Sequence, residues 1–189
     1  VVEPGESDLF RRVERFRGWI VDCFILGESN YRDIFDAGLQ EANPSLQRMI
    51  AEGMVIRHAG RGLEIAEEAR ADLACGPLPW SAAEIDDARN RLSETMADLA
   101  RSRCRDERRF IASRLALLAA EFELRTNRRW VGEGKHLYRR LREWSPSLAA
   151  GIGAALDALC ARDDPGPLIA VCRSILEPYG GELIVGYER

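Results

Sequence analysis

The sequence predicts an α+β fold that is mostly α, with two parts meeting near residue 76. Three observations predict it. The run Trp19-Ile20-Val21-Asp22-Cys23-Phe24-Ile25-Leu26, entered through Gly18 and closed by Gly27, is rich in β-branched and aromatic residues and reads as a largely buried strand. The stretch Gly76-Pro77-Leu78-Pro79 breaks the chain. Beyond it, apolar residues recur at helical spacing almost to the end. The expected domains are a small α/β portion over 1–76 and a helical bundle over 77–189.

Each element follows from local chemistry. Val1-Val2 reads as the end of a strand. Ser7 to Phe16 predicts an amphipathic helix, with Ser7 as its cap, Leu9, Phe10 and Val13 facing inward and the arginines facing water. After the strand, helices are expected over Tyr31 to Ala42 and, following Pro44, over Ser45 to Gly53. Val55-Ile56 predicts a short strand or turn before Gly60 and Gly62, and Leu63 to Cys75 returns to helix. Ser81-Ala82-Ala83-Glu84 has the form of a capping box, opening a helix with the stripe Ile85, Ala88, Leu92, Met96 and Leu99. Asp106 to Trp130 predicts a longer helix with Ile111, Leu115, Leu118 and Phe122 inward. Ser145-Pro146 and Pro165 open two more helices, the last ending near Pro178-Tyr179-Gly180. About five helices make the expected bundle.

Asp22 stands out within this scheme. A strand's alternation places it on the face of Ile20 and Phe24, where an uncompensated charge would cost several kcal/mol. A metal ion, a cationic partner or a solvent-accessible strand end would each compensate it.

Composition narrows the function classes. No apolar run approaches the roughly 18 residues of a membrane span, and the N-terminal residues do not form a signal peptide, so a soluble cytoplasmic protein is expected. The cysteines at 23, 75, 104, 160 and 172 show no CxxC pairing and are odd in number, which suits reduced thiols, with Cys23, Cys160 and Cys172 expected in the core. His58 and His136 lack ligand spacing to a second His or Cys, which argues against zinc. The formal charge of −4 is unevenly spread: residues 1–100 balance at −8 and residues 101–142 at +8. A basic segment in an acidic chain points to a local anionic ligand, or to a solvated helix face, rather than to a general nucleic-acid binder. Arginine supplies 26 of the 27 basic residues. The exception, Lys135, follows Gly132 and Gly134 at a predicted helix start, where a compact ammonium and free backbone N–H groups both favour an anion.

The segment Arg17-Gly18-Trp19-Ile20-Val21-Asp22-Cys23-Phe24-Ile25, followed by Pro44-Ser45-Leu46-Gln47-Arg48-Met49-Ile50-Ala51-Glu52-Gly53-Met54-Val55-Ile56, resembles the polymerase β-like nucleotidyltransferase superfamily in its small bacterial, kanamycin-nucleotidyltransferase-like branch. Leu124-Arg125-Thr126-Asn127-Arg128-Arg129-Trp130, with Lys135 and Tyr138-Arg139-Arg140-Leu141, resembles the helical domain that follows the catalytic domain there. The resemblance implies transfer of a nucleoside monophosphate from an NTP, with ATP first in expectation, to a hydroxyl of a small molecule or a protein, with Mg2+. It implies that Asp22 is a catalytic, metal-binding carboxylate, the third of a set whose first two form an Asp-x-Asp pair. Lys135, Arg128 and Arg129 are the expected nucleotide-binding residues. The Asp-x-Asp pair has no match: in Ser7-Asp8-Leu9-Phe10, Phe10 stands where the second acid belongs, and Ser7-Asp8 reads as a helix cap. Residues 1–76 are therefore expected to be a truncated nucleotidyltransferase portion, with a Gly-Ser turn and Asp-x-Asp preceding Val1. As one carboxylate, Asp22 is expected to hold magnesium weakly. The carboxylate is expected to sit on a central strand and to face a cleft between the two parts.

Leu46 to Ile65 also fits the recognition helix and wing of a winged-helix DNA-binding regulator, although Asp33, Asp36, Glu41 and Glu52 make that region acidic. A noncatalytic helical interaction module is the remaining alternative. No nucleic-acid or membrane partner is expected, and the sequence leaves a homodimer open.

Overall fold

The computed structural model describes residues 10–57 and 60–188, with the backbone of Val2–Glu3. The fold is α+β and mostly α, and the chain divides into two compact units, Val1–Pro77 and Leu78–Arg189. The Gly76-Pro77-Leu78-Pro79 break contains the division.

In the first unit, strands β1 (Val2–Glu3), β2 (Phe10–Phe16) and β3 (Trp19–Gly27) form a sheet in the order β1-β3-β2. β1 runs parallel to β3, with Val2 opposite Leu26. β2 runs antiparallel, from Phe10 opposite Ile25 to Phe16 opposite Trp19. Arg17 and Gly18, at φ 48° and 86°, make the two-residue turn with both residues left-handed that matches the twist of a tight hairpin.

Two expectations are corrected here. Residues 10–16 are a strand, not the end of a helix, and Phe10 and Val13 are exposed instead of facing inward. Phe10, Val13 and Phe16 recur every three residues, which mimics a helical stripe, but pairing along β3 overrides that local pattern. The proposed caps Ser7 and Asp8, with Leu9, lie outside the described residues, as do Val1 and His58. The second correction concerns β3, which is buried only toward its end. Trp19 and Ile20 are 78% and 69% exposed, whereas Ile25 and Leu26 are buried.

Helices α1 (Tyr31–Gln40), α2 (Ser45–Glu52) and α3 (Gly62–Cys75) supply the core of this unit, where Tyr31, Phe35, Ile65 and Ala69 pack with Ile50 and Ala51. The rings of Tyr31 and Phe35 meet edge to face at 5.4 Å. Gln47 is buried because its amide donates to the carbonyl of Phe35 at 2.8 Å, replacing the hydration it loses. Residues 54–57 form no strand, and Met54 and Ile56 are exposed.

The second unit is a five-helix bundle: α4 (Ala82–Arg101), α5 (Arg105–Thr126), α6 (Lys135–Trp144), α7 (Pro146–Arg162) and α8 (Gly166–Leu176), closed by a 3-10 turn at Glu177–Tyr179. Leu92, Met96, Leu99, Leu115 and Phe122 of the predicted stripes are buried. Cys172 is buried too, and burial raises its thiol to about 12. Cys160, expected in the core, is exposed, because α7 turns that position away from its apolar stripe. The C-terminal segment is fastened to α4: Leu183 donates its N–H to Ser93 Oγ at 2.9 Å, and Asn90 donates to the Leu183 carbonyl at 3.1 Å. That pairing accounts for buried polar groups on α4. Among the described residues no helix is long and apolar enough to cross a membrane.

Both halves of the capping box are present. The Glu84 N–H donates to Ser81 Oγ at 3.2 Å, and the Ser81 N–H donates to Glu84 Oε2 at 2.7 Å. These bonds hold the Glu84 carboxyl below its ordinary value, first through the Ser81 backbone N–H. The stability contributed by this charge is therefore complete above the unfolded carboxylate pKa and is lost as pH falls through the lowered folded value. Ser81→Ala is expected to cost about 1 kcal/mol in urea unfolding of the bundle at neutral pH. The difference from wild type should shrink in acid; an unchanged midpoint at neutral pH would remove the cap from the account.

Candidate functional site

Asp22 lies midway along β3, the middle strand among those described, directly opposite Val13. The register puts Asp22, Ile20 and Phe24 on one face with Arg11, Val13 and Arg15 of β2. Its compensation is a cationic partner together with solvent. Arg11 donates to both carboxylate oxygens, from Nε to Oδ1 at 2.9 Å and from Nη2 to Oδ2 at 2.7 Å, in the parallel two-bond geometry that guanidinium and carboxylate share. The Arg11 guanidinium also lies over the Phe24 ring at 5.4 Å. Hydrogen bonding from Arg11 holds the Asp22 carboxyl below the usual carboxylate range.

The carboxylate is thus ionised, reachable from solvent and clasped by a partner on an exposed edge strand. Magnesium demands several oxygen ligands in near-octahedral array. Among the described residues no group of three His, Cys, Asp or Glu is arranged to hold a metal, and Asp22 offers its two oxygens to Arg11. The described residues do not form a magnesium site on their own.

The predicted nucleotide-binding residues all belong to the second unit, Asp22 to the first. Helix α5 ends earlier than Trp130 because Arg128 enters the left-handed region at φ 54°. The Arg128 N–H then bonds the Arg125 carbonyl at 3.0 Å, and the Arg129 N–H bonds that of Leu124 at 2.8 Å, the two-bond stop in which glycine is the common residue. This reversal leaves Arg128 exposed and sends Arg129 across the Trp144 ring, 4.0 Å from its centroid. Arg129, Trp130, Arg140, Glu143 and Trp144 line a cleft of about 230 Å³. Arg140 is paired with Glu143 at 2.7 Å, and the Trp144 indole N–H donates to Glu123 at 3.0 Å.

Lys135 is the first residue of α6 and is exposed, with Gly132 and Gly134 at φ 78° and 52° in the preceding turn. Its ammonium stands at the positive end of a ten-residue helix. Neither Lys135 nor Arg128 lines the Arg129 cleft. Arg125 points elsewhere again: it is buried, stacks on Trp80 at 5.0 Å, and its Nη1 has no hydrogen-bond partner among the described residues. Burial lowers its pKa from the ordinary value.

Sequence reasoning missed Arg11, the Arg129–Trp144 stack and the Arg125–Trp80 stack. The hairpin signal was Arg17-Gly18 between two runs of strand-forming residues, which would have set Arg11 diagonally across from Asp22. Comparison with models of known protein families, with curated proteins and with solved structures found no match.

Proposed function

We propose that this chain is part of a nucleotidyltransferase that moves a nucleoside monophosphate from an NTP, ATP first, to a hydroxyl of a small molecule or a protein. The reading is supported by Asp22, an ionised, solvent-reachable carboxylate midway along the central strand, where the resembling family carries an acid. In the reaction the acceptor oxygen bonds to the α-phosphorus, the bond to the β-phosphate bridging oxygen breaks, pyrophosphate leaves and the hydroxyl proton passes to solvent or a base. Magnesium is the proposed cofactor and supplies charge neutralisation at the phosphates. Asp22 contributes one negative charge to that site. Arg11 holds that charge in place and ionised until a stronger cation competes for it.

Lys135 is the proposed phosphate contact of the bundle, with Arg128 and Arg129 as supporting positive charge. A charge-assisted bond to phosphate is worth about 1.5–3 kcal/mol, so Lys135→Ala is expected to raise the KM for NTP roughly tenfold or more, and Lys135→Arg less. The decisive experiment incubates the full-length polypeptide with Mg2+, each α-labelled NTP and a panel of hydroxyl acceptors, and follows labelled product together with pyrophosphate. No labelling of any acceptor, combined with no NTP binding by calorimetry, overturns the reading. The winged-helix alternative needs a strand hairpin after α2, and among the described residues none follows it.

A further inference from the structure

Among the described residues, nothing pairs with the outer edge of strand β2. Among the described residues it pairs only with β3, all seven of its residues are exposed, and Phe16 is 62% and Val13 56% accessible. Its sequence, Phe10-Arg11-Arg12-Val13-Glu14-Arg15-Phe16, is nearly symmetric about Val13. Laid antiparallel against itself through that centre, it sets Phe10 opposite Phe16, Arg12 opposite Glu14 and Val13 opposite Val13. Glu14, the one acid in the strand, falls against an arginine.

Backbone geometry permits this register. A two-residue turn makes Phe16 and Trp19 the hydrogen-bonded pair that closes the hairpin. Alternation then directs the N–H and C=O groups of Phe10, Arg12, Glu14 and Phe16 toward β3, and those of Arg11, Val13 and Arg15 outward. Odd-numbered residues of one copy meet odd-numbered residues of the other, so Val13 bonds its mate and Arg11 bonds Arg15.

We propose that a second copy of this chain adds to β2 about a two-fold axis through Val13, making one continuous sheet in the order β3-β2-β2-β3. Such isologous pairing is self-complementary, as a two-fold interface requires. Its like-charged contact is Arg11 against Arg15, and there Asp22 already meets the Arg11 charge with two hydrogen bonds. Arg12, which reaches Glu14 of its own strand at 2.9 Å, exchanges that contact for Glu14 of the mate. The exposed aromatic rings of Phe10 and Phe16 gain cross-strand partners, the kind of contact that stabilises sheets. Arginines on an edge strand commonly serve to prevent pairing. Here their spacing, with Glu14 two residues after Arg12, favours one antiparallel register.

The association is read by sedimentation velocity on the full chain. A small interface is expected to give a dissociation constant of about 10–100 μM. Arg12→Glu sets two carboxylates against each other at both symmetric positions, the new one facing Glu14 of the mate, and is expected to weaken dimerisation at least tenfold, about 1.4 kcal/mol. The double exchange Arg12→Glu with Glu14→Arg restores the pair and should restore the dimer. Val13→Cys gives a second readout, because a hydrogen-bonded antiparallel pair holds its Cα atoms about 5.5 Å apart, within disulfide reach. Mild oxidation should link that variant into a dimer more readily than the wild type or Arg12→Cys, which serve as controls. A monomeric wild type near 1 mM, a single-charge variant that dimerises like wild type, or equal crosslinking in the controls overturns the proposal.

Discussion

Replacing Asp22 by asparagine is expected to lower the proposed nucleotidyl transfer by the full-length protein on the order of 10³-fold or more in kcat, while leaving the fold intact. The substitution keeps size and removes charge. A charge placed where the reaction develops charge is worth several kcal/mol, and about 1.4 kcal/mol is a tenfold change in rate. The stability effect should be small, because Asp22 and Arg11 are both solvent-accessible and exposed ion pairs contribute little. Circular dichroism and the thermal midpoint check the fold; steady-state kinetics check the chemistry. Full activity in a folded Asp22→Asn protein would remove this carboxylate from the mechanism.

Arg11→Ala tests the same pair from the other side. Arg11 lowers the Asp22 pKa, so removing it returns the carboxyl toward its ordinary value. The acidic limb of the pH–rate profile should then move to higher pH. The sign for stability is the same: the pair's contribution is complete above the unfolded carboxyl pKa and disappears as pH falls through the lowered folded value. An acidic limb that stays in place would mean that Asp22 does not govern it.

Phe122→Ala should have the largest effect on stability. The ring is 1% exposed on the inner face of α5, meets Tyr179 edge to face at 5.2 Å, and lies 6.3 Å from Trp80. Truncation removes the buried ring and leaves a cavity that a helix backbone cannot close, so a loss of about 3–5 kcal/mol is expected. Because Trp80 also carries the stacked Arg125, the change reaches a buried guanidinium whose Nη1 has no partner among the described residues. Urea denaturation of the full chain, followed by tryptophan fluorescence, measures the cost. A loss under about 1 kcal/mol would show that the ring does not hold α5 to the end of the bundle.

The bundle was largely legible in the sequence because its determinants are local. Ser81 and Glu84 lie three residues apart, Pro146 and Pro165 mark helix starts, and the stripes of α4 and α5 repeat within each turn. No distant residue is needed to read them. The end of α5 was misplaced by four residues because Arg128 occupies a left-handed position that its side chain does not announce.

The sheet lies at the other extreme. Phe10, Val13 and Phe16 suit a helix by spacing, and only pairing with β3 makes them a strand. Sequence alone left three ways to compensate Asp22; the register selected Arg11, eleven residues away, by bringing the two strands side by side. The same limit applies to the basic segment. Arg125, Arg128, Arg129 and Lys135 are neighbours along the chain, yet Arg125 is buried against Trp80, Arg129 lies over Trp144 at the surface, and Arg128 and Lys135 are exposed elsewhere. Residue type and local spacing determined where charge would concentrate. The path of the backbone through the turn after α5 decided where each charge points, because that direction depends on partners far away in sequence.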